Sequence, residues 1–303
     1  MIDKIPNQTY TASCFLCGSN KVKKTKERRP VDFNIVRFYY KCQICQGYSL
    51  WPKLEKWEIE RLYSANYIVD VNPDSQPDHE SNMARFTYVK NFLASIQNPN
   101  DKSFLDYGCG ASAEVVILAK NLFFQSFGVE VALETRVLAG KKSGCTIYSP
   151  QEIAEGQHQF DVVFLGDLLE HVSNPLEILA STKKCLRDGG YLIIQGPLEG
   201  SNTLSNFLVS IKARLLAGRP STFPAYHVLL ATRDSMLKML KINNFHITTK
   251  QITEPLWPAT RLGSKESLTS PSRFLLSFAK FLDMTIHKIN KSYGTRIFIV
   301  AQK

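Results

Sequence analysis

The segment that most constrains the fold runs from residue 104 to residue 120. A short apolar run, Phe104 to Tyr107, meets Gly108 and Gly110 and is followed by Glu114 to Lys120. This order predicts a strand, a tight turn and a helix. Because glycine has no Cβ, the backbone of such a turn can approach a ligand closely. The segment therefore predicts a ligand-binding turn at the end of a buried strand.

Two later segments carry polar residues where a predicted strand ends. Glu130 follows the run Phe127 to Val129, where a carboxylate can accept hydrogen bonds from both hydroxyls of a ribose. The run Phe160 to Leu165 is followed by Asp167 and then by Leu-Glu-His-Val at residues 169–172. The order and spacing of the three segments predict one binding site and not three unrelated turns.

In this order the three segments resemble class I S-adenosylmethionine-dependent methyltransferases, over residues 80 to 253 and the last strand. Leu-Glu-His-Val after the fourth strand is frequent in small-molecule methyltransferases, and the family often keeps an acid such as Asp106 directly before the turn. A Rossmann dehydrogenase also begins with Gly-x-Gly, but the third glycine of its pattern would fall at Ala113. The resemblance implies methyl transfer with S-adenosylmethionine as cofactor.

The resemblance also implies a set of cofactor-binding residues along the chain. These are Asp106, Gly108, Gly110, Glu130, Ser149, Asp167 and Leu168. Asp106 and the two glycines would lie under the methionine part and Glu130 would hold the ribose, while Asp167 and Leu168 would flank the sulfonium. Two positions depart from the family pattern. Ser149 stands where an acid usually lies near the adenine amine, and Ser112 replaces a glycine but could cap the following helix.

The remaining predicted strands complete an α/β sheet. They are Cys145 to Tyr148, Tyr191 to Gln195, a strand opening at Asn244 to Thr249, and Arg296 to Ala301. Helical segments such as the one starting at Thr232 separate them. The alternation predicts a Rossmann-like seven-stranded, mostly parallel sheet with helices on both faces.

Four of the seven cysteines form two Cys-x-x-Cys pairs separated by 24 residues. They are Cys14, Cys17, Cys42 and Cys45. Two such pairs predict a zinc ribbon whose four sulfurs complete a tetrahedral site, with no position open for catalysis. The alternative is four buried or disulfide-linked cysteines. The other three, Cys109, Cys145 and Cys185, are interpreted as small buried hydrophobes.

The chain is predicted to divide into a zinc ribbon at 1–56, a lid or linker at 57–78 and a methyltransferase core at 79–303. Basic insertions are predicted at about 198–228 and 254–292. Residues 61–200 carry 11 Lys and Arg against 17 Asp and Glu, whereas residues 201–303 carry 15 against 4. This division favours an acceptor that is anionic or lies on an anionic surface, although solubility alone could explain it.

The additions to the core are where acceptor choice is expected. Tyr63 and Tyr67 lie four residues apart and could belong to an active-site lid or to the core. Two basic segments, 204–216 and 272–291, carry apolar residues at helical spacing. Such helices can lie on anionic membranes, but such a stripe is more often simply buried.

His171 and His227 are the candidate general bases. An unperturbed histidine titrates near pH ~6.5, which suits removal of a hydroxyl proton. Sugar methyltransferases that resemble this chain use a histidine just after the fourth strand, at the position of His171. The alternative is that either ring only packs or bonds the backbone.

The sequence therefore predicts a methyltransferase that modifies a sugar or surface-glycan precursor, which could be anionic or lipid-linked. No secretory signal or membrane-spanning run stands out, so a cytoplasmic protein, with peripheral contact to the inner membrane face, is expected. One alternative is an RNA methyltransferase whose basic ribbon clamps nucleic acid; another is a non-catalytic cofactor-binding module. The sequence leaves open the acceptor, the methylated atom and the oligomeric state.

Overall fold

The computed structural model describes residues 11–30, 36–55, 57–59, 85–215, 227–256 and 259–303. Tyr63 and Tyr67 of the predicted lid lie outside the described residues. The strands are β1 (Val22–Pro30), β2 (Val36–Cys42), β3 (Tyr48–Trp51), β4 (Ser103–Tyr107), β5 (Gln125–Val129), β6 (Ile147–Tyr148), β7 (Phe160–Gly166), β8 (Leu186–Pro197), β9 (Leu229–Leu230), β10 (His246–Thr253) and β11 (Arg296–Gln302). The helices are α1 (Thr87–Ala94), α2 (Glu114–Asn121), α3 (Leu133–Ser143), α4 (Pro150–Glu155), α5 (Pro175–Cys185), α6 (Leu204–Leu215), α7 (Arg233–Ile242) and α8 (Pro271–Ile289).

The larger sheet has seven strands in the order β10-β11-β8-β7-β4-β5-β6. Only β11 runs antiparallel to its neighbours, β10 and β8, and the other pairs are parallel. The predicted Rossmann-like, mostly parallel sheet is confirmed. The carboxyl ends of the parallel strands therefore meet at one edge, where ligands of open α/β sheets bind.

Helices cover both faces of this sheet. On one face α1 and α2 bury Val89, Leu93 and Val115 against a layer that includes Phe104 and Phe164. On the other face α5 and α7 pack on alternate residues of the same strands. Successive side chains of a strand point to opposite faces of the sheet, and helices cover both faces. The central strands are therefore continuous apolar runs in the sequence.

The N-terminal segment forms a second, antiparallel sheet in the order β1-β2-β3-β9. Its fourth strand comes from the far side of the sequence, and Leu50 N donates to Val228 O at 2.8 Å where β3 meets β9. Leu16 and Tyr39 of this layer belong to the same apolar cluster as α7. The ribbon layer thus packs directly on the core. The division of the chain at residues 56 and 78 stays a prediction.

Local structure departs from two expectations. Helix α2 begins at Glu114, and Ala113 is its N-cap with a left-handed φ of 47° and no side-chain cap. The expected capping by Ser112 is therefore wrong. The apolar stripes of α6 and α8 are largely exposed, with Phe207, Phe278 and Phe281 facing outward. In the described part of the chain, no helix combines the length and hydropathy needed to cross a membrane.

Candidate functional site

The glycine turn after β4 has the shape of a ligand cradle. Gly108 and Gly110 both have left-handed φ angles, 89° and 60°. The N–H groups of Gly108 and Cys109 both donate to Val129 O, at 2.8 and 3.1 Å, which fixes the turn to β5. A Cβ on Gly108 would lie 2.9 Å from Leu168 Cδ1, whereas one on Gly110 would meet no atom of the described residues within 4 Å. Leu168 therefore covers the turn at Gly108, whereas no described residue covers it at Gly110.

Two carboxylates lie under and beside this turn. Glu130 accepts hydrogen bonds from Gly110 N at 3.0 Å and from Val131 N at 2.8 Å. Asp106 is buried, and burial together with the charge of Glu130 raises its pKa to about 8 despite the nearby Arg85. Asp106 is therefore largely protonated at neutral pH in the free protein, and a cationic ligand would favour its ionised form.

Asp167 and Leu168 follow β7 at the same edge of the sheet. Asp167 has a left-handed φ of 48°, and its N–H donates to Gln195 O at 2.8 Å. Arg296 Nη2 donates to Asp167 Oδ1 at 2.5 Å. Arg296 was not foreseen as a site residue, because it opens a strand 129 positions further along the chain. The pair fixes the direction of the Asp167 carboxylate.

Ser149 caps helix α4 beside β6. Its Oγ accepts from Glu152 N at 3.3 Å and donates to Glu152 Oε2 at 2.7 Å, and Ser149 N donates to the same carboxylate oxygen. The Ser-x-x-Glu spacing of this capping box was visible in the sequence. These hydrogen bonds lower the pKa of Glu152. The Glu152 carboxylate is thus held directly beside Ser149.

The two candidate bases lie together. The rings of His171 and His227 are edge to face, with centroids 4.8 Å apart. His227 Nδ1 lies 2.7 Å from Glu199 Oε2, a contact that nothing in the local sequence pattern suggested. Tyr39 of the ribbon layer donates from its hydroxyl to His227 O at 2.6 Å. The ribbon layer therefore holds the backbone of His227 through Tyr39, and the core holds its ring through Glu199.

Glu170 lies beneath the two histidines and is only 6% exposed. Its backbone oxygen accepts from Val228 N at 2.7 Å. Burial, with the charge of Asp167, raises the pKa of its carboxyl to about 8. Ligand atoms of Glu170, His171 and His227 all lie within 4.8 Å of one another, so the same residues could hold a divalent cation.

The four predicted metal ligands converge in the ribbon layer. Cys14 Sγ lies 3.4 Å from Cys45 Sγ, Cys17 Sγ lies 3.6 Å from Cys42 Sγ, and all four sulfurs lie within 4.8 Å of one another. A tetrahedral zinc with Zn–S bonds of about 2.3 Å requires sulfurs roughly 3.8 Å apart. None of the four forms a disulfide.

The two cysteine pairs form matching turns. Gly18 N donates to Cys14 O at 2.9 Å and Gln46 N donates to Cys42 O at 3.1 Å, and both residues after the pairs have left-handed φ. The hydrogen bond with Cys45 lowers the pKa of Cys14 to about 5. The lowered pKa favours the thiolate form of Cys14, and the donor set and spacing fit a zinc ion.

A cavity of about 560 Å³ opens beside the candidate base. Its lining includes Glu199 and Arg296, the partners of His227 and Asp167, together with residues of α6 and α8. This volume suits a small-molecule ligand. Gln195 Nε2, buried in β8 outside the lining of this cavity, has no hydrogen-bond partner among the described residues.

The sheet order, the glycine cradle and the buried acids define a class I S-adenosylmethionine-dependent methyltransferase. The chain belongs to the methyltransferase domain family, whose sequence profile matches residues 81–250. It is 29% identical over 151 residues to the ubiquinone biosynthesis O-methyltransferase of Histophilus somni (strain 2336), covering 46% of this chain and 62% of that protein. The same enzyme of Aliivibrio fischeri (strain ATCC 700601 / ES114) is 30% identical over 138 residues, covering 41% of this chain and 54% of that protein. These matches span less than two thirds of either relative.

Solved structures share the fold. A S-adenosylmethionine-dependent methyltransferase from Archaeoglobus fulgidus superposes with a TM-score of 0.53 at 16% identity, over 78% of this chain and 100% of that one. Magnesium protoporphyrin IX methyltransferase from Synechocystis PCC 6803, with bound S-adenosylhomocysteine, gives a TM-score of 0.55 at 14% identity, over 82% of this chain and 100% of that one. At these identities the likeness shows the fold and nothing about the acceptor.

Proposed function

We propose that this chain transfers a methyl group from S-adenosylmethionine to a hydroxyl oxygen of a small-molecule acceptor, with His227 as the general base. The observation that carries the proposal is the 2.7 Å contact between His227 Nδ1 and Glu199 Oε2. A carboxylate at Nδ1 favours the tautomer with the proton on that atom, so Nε2 is the basic atom of the ring that would take the acceptor's proton. His171, in ring contact with His227, is the alternative base.

The cofactor-binding roles follow from the cradle. Asp106, Gly108 and Gly110 would lie under the methionine part, and Glu130 would hold the ribose. The space above Gly110 supports this assignment, because no described residue fills it and a ligand could lie over the turn. When bound, the cofactor supplies a methyl group on a positively charged sulfur.

The other end of the cofactor would meet the residues after β6 and β7. Ser149 would stand near the adenine amine, with the Glu152 carboxylate it holds as the hydrogen-bond acceptor. Asp167 and Leu168 would flank the sulfonium, where the Arg296 contact keeps the Asp167 carboxylate in one direction. These residues hold donor and acceptor in a reactive geometry, which is the main source of rate in such a displacement.

The proposed acceptor is a sugar or a surface-glycan precursor. Polar side chains line the cavity together with Glu199, among them Ser201, Asn202 and Asn206. A hydroxyl-rich ligand could form hydrogen bonds with them. The ubiquinone biosynthesis O-methyltransferases support transfer to oxygen. Their name points to a quinone precursor for those enzymes, so glycan and quinone-like acceptors belong in the same screen.

The four cysteines are proposed to bind structural zinc. Replacing Cys42 by serine should remove the metal, because a hydroxyl is a poor zinc ligand beside three sulfurs. Zinc content per chain, measured by atomic emission, should fall from one equivalent to a small fraction. Full zinc content in Cys42→Ser would rule out the four-sulfur site. Cys185→Ser, at a buried position in α5, is the matched control and should retain the metal.

The base assignment is tested by two substitutions and one control. His227→Gln should lower kcat by roughly 10² to 10⁴-fold, the usual contribution of a general base. Glu199→Gln should lower kcat and distort the pH–rate profile, because the neutral amide no longer stabilises a protonated ring. S-adenosylmethionine affinity should stay unchanged in both. His246→Gln, at the exposed start of β10, should behave as wild type. Wild-type kcat in His227→Gln would refute the base.

An RNA acceptor lacks comparable support. The ribbon aromatic Phe38, which could stack a base, already carries Lys24 Nζ 3.7 Å from its ring centroid. Tyr39 beside it is buried and engaged with His227. A non-catalytic module would need no oriented histidine, so the Glu199 contact favours an enzyme. The proposal sets the reaction in the cytoplasm, at or near the inner face of the membrane.

A further inference from the structure

Helix α8 turns its polar side towards the core. Ser277, Lys280 and Asp283 are buried in this helix. Lys280 Nζ pairs with the carboxylate of Glu254 and donates to Thr295 Oγ1 at 3.0 Å. A buried charge is costly without its partner, so these contacts decide which side of the helix faces inward. The large apolar side chains are left on the outside.

Asp283 joins α8 to α6. Its two carboxylate oxygens accept from the N–H groups of Leu204 and Ser205, each at 2.9 Å, and the Tyr293 hydroxyl also donates to it. The first N–H groups of a helix have no acceptor within the helix, and a negative charge there is favourable. The two helices are thus held side by side in a fixed orientation.

The outward side chains form what is called here the apolar face. It comprises Phe207 and Leu215 of α6 and Phe274, Leu275, Phe278, Phe281 and Ile289 of α8. Phe281 is 52% exposed and Ile289 is 86% exposed. Single exposed apolar residues are ordinary in proteins, but several on one helical face form a patch that marks an interaction site.

The charges around the apolar face are positive. Arg273 and Lys288 of α8 and the following Lys291 are exposed, and the sole acid within α8 is the buried Asp283. Two copies of the chain meeting through this face would bring like charges together. A bilayer with anionic headgroups instead offers an apolar layer and complementary charge at once.

The cavity connects this face to the site. Glu199, which contacts the candidate base His227, belongs to the lining of the cavity. Phe207 and Leu276, from α6 and α8, add apolar surface to the same lining. A ligand that spans the cavity would therefore place a hydroxyl-bearing head near His227 and an apolar chain between the two helices.

We infer that the apolar face docks on an anionic lipid bilayer and that the acceptor is an amphipathic, lipid-linked molecule drawn from that bilayer into the cavity. The acceptor part rests on the proposed methyl transfer. The docking part rests only on the outward apolar side of α8 and on the positive charges around it.

Docking is tested with the full chain and sedimented vesicles. Vesicles of phosphatidylcholine mixed with phosphatidylglycerol should bind the protein, vesicles of phosphatidylcholine alone should bind it much less, and added salt should release it. The double variant Phe278→Ser/Phe281→Ser should bind the mixed vesicles at least ~10-fold more weakly, because each phenyl ring loses its burial in the interface. Phe123→Ser, 70% exposed between α2 and β5, is the matched control and should bind as wild type.

Three results would overturn the docking inference. They are no wild-type binding to the mixed vesicles, equal binding to both vesicle types, and a double variant that binds as wild type. Sedimentation velocity adds a further check. A wild-type dimer that the double variant loses, without any vesicle binding, would assign the face to a second copy.

The acceptor is tested separately with labelled S-adenosylmethionine and a membrane preparation. Label should enter the fraction soluble in organic solvent. Label confined to water-soluble glycans would overturn the lipid-linked acceptor while leaving methyl transfer intact. Absence of label in every fraction would contradict the proposed function itself, whereas the vesicle result would be unaffected.

Discussion

The buried carboxyl of Asp106 makes the stability of the cofactor-free protein depend on pH. Its pKa rises from an ordinary 3.8 to about 8, through burial first and the charge of Glu130 second. Below pH ~4 both the folded and unfolded chains hold this proton, so it has no effect. Between the two pKa values the unfolded chain has released the proton and the folded chain keeps it, and the free energy of unfolding falls as pH rises.

The slope of the unfolding free energy against pH follows from a difference of one bound proton between the folded and unfolded chains. A full proton of difference lowers the unfolding free energy by about 1.4 kcal/mol per pH unit, or about 2 kcal/mol between pH ~6 and ~7.5. Above pH ~8 both states are ionised and the slope disappears. Asp106→Asn has no proton to lose and should flatten the profile by this amount. Bound S-adenosylmethionine should also flatten it, since its positive charge favours ionised Asp106.

Urea unfolding followed by circular dichroism at several pH values measures the effect, provided that the transition is two-state. Glu170, whose pKa burial also raises to about 8, contributes a similar slope to wild type and variant alike, so their difference isolates Asp106. Asp188→Asn, at a fully exposed position, is the control and should keep the wild-type slope. Equal slopes for wild type and Asp106→Asn would refute the reasoning.

Two further predictions concern the ribbon layer. Tyr39→Phe removes the donor to His227 O and should lower the unfolding free energy by roughly 1–3 kcal/mol, with a fall in kcat but unchanged zinc content and cofactor affinity. An unaltered kcat would show that the ribbon layer does not contribute to the geometry around His227. Glu58→Ala leaves the buried guanidinium of Arg37 without its carboxylate partner and should cost roughly 3–5 kcal/mol, measured by urea unfolding. A fall in unfolding free energy no greater than that caused by Asp234→Ala, at an exposed position, would contradict the expected cost of Glu58→Ala.

Local patterns in the sequence identified the parts of the site that a single segment supplies. The turn from Asp106 to Gly110, Glu130 after β5 and Asp167 after β7 each follow a strand, so strand periodicity and the glycine positions placed them at one edge of the sheet. Their proposed cofactor roles come from the family resemblance. The cysteine pairs were equally visible, because metal ligands recur at short fixed spacings.

Contacts between distant segments could not be predicted from one sequence. Glu199 meets His227 across 28 positions, and Tyr39 meets it across 188. Neither pairing has a local signature, because each joins segments that only the folded chain brings together. The apolar stripe of α8 was recognised, but periodicity shows only that a face exists. The ion pair of Lys280 with Glu254 decides that this face points outward.

The most direct test of the central claim is transfer of labelled methyl from S-adenosylmethionine into acceptor fractions by wild type and His227→Gln, with cofactor affinity measured on the same samples. We expect equal affinity for S-adenosylmethionine and a rate of methyl transfer at least ~10²-fold lower in His227→Gln. Equal rates would remove His227, and with it the Glu199 contact, from the chemistry.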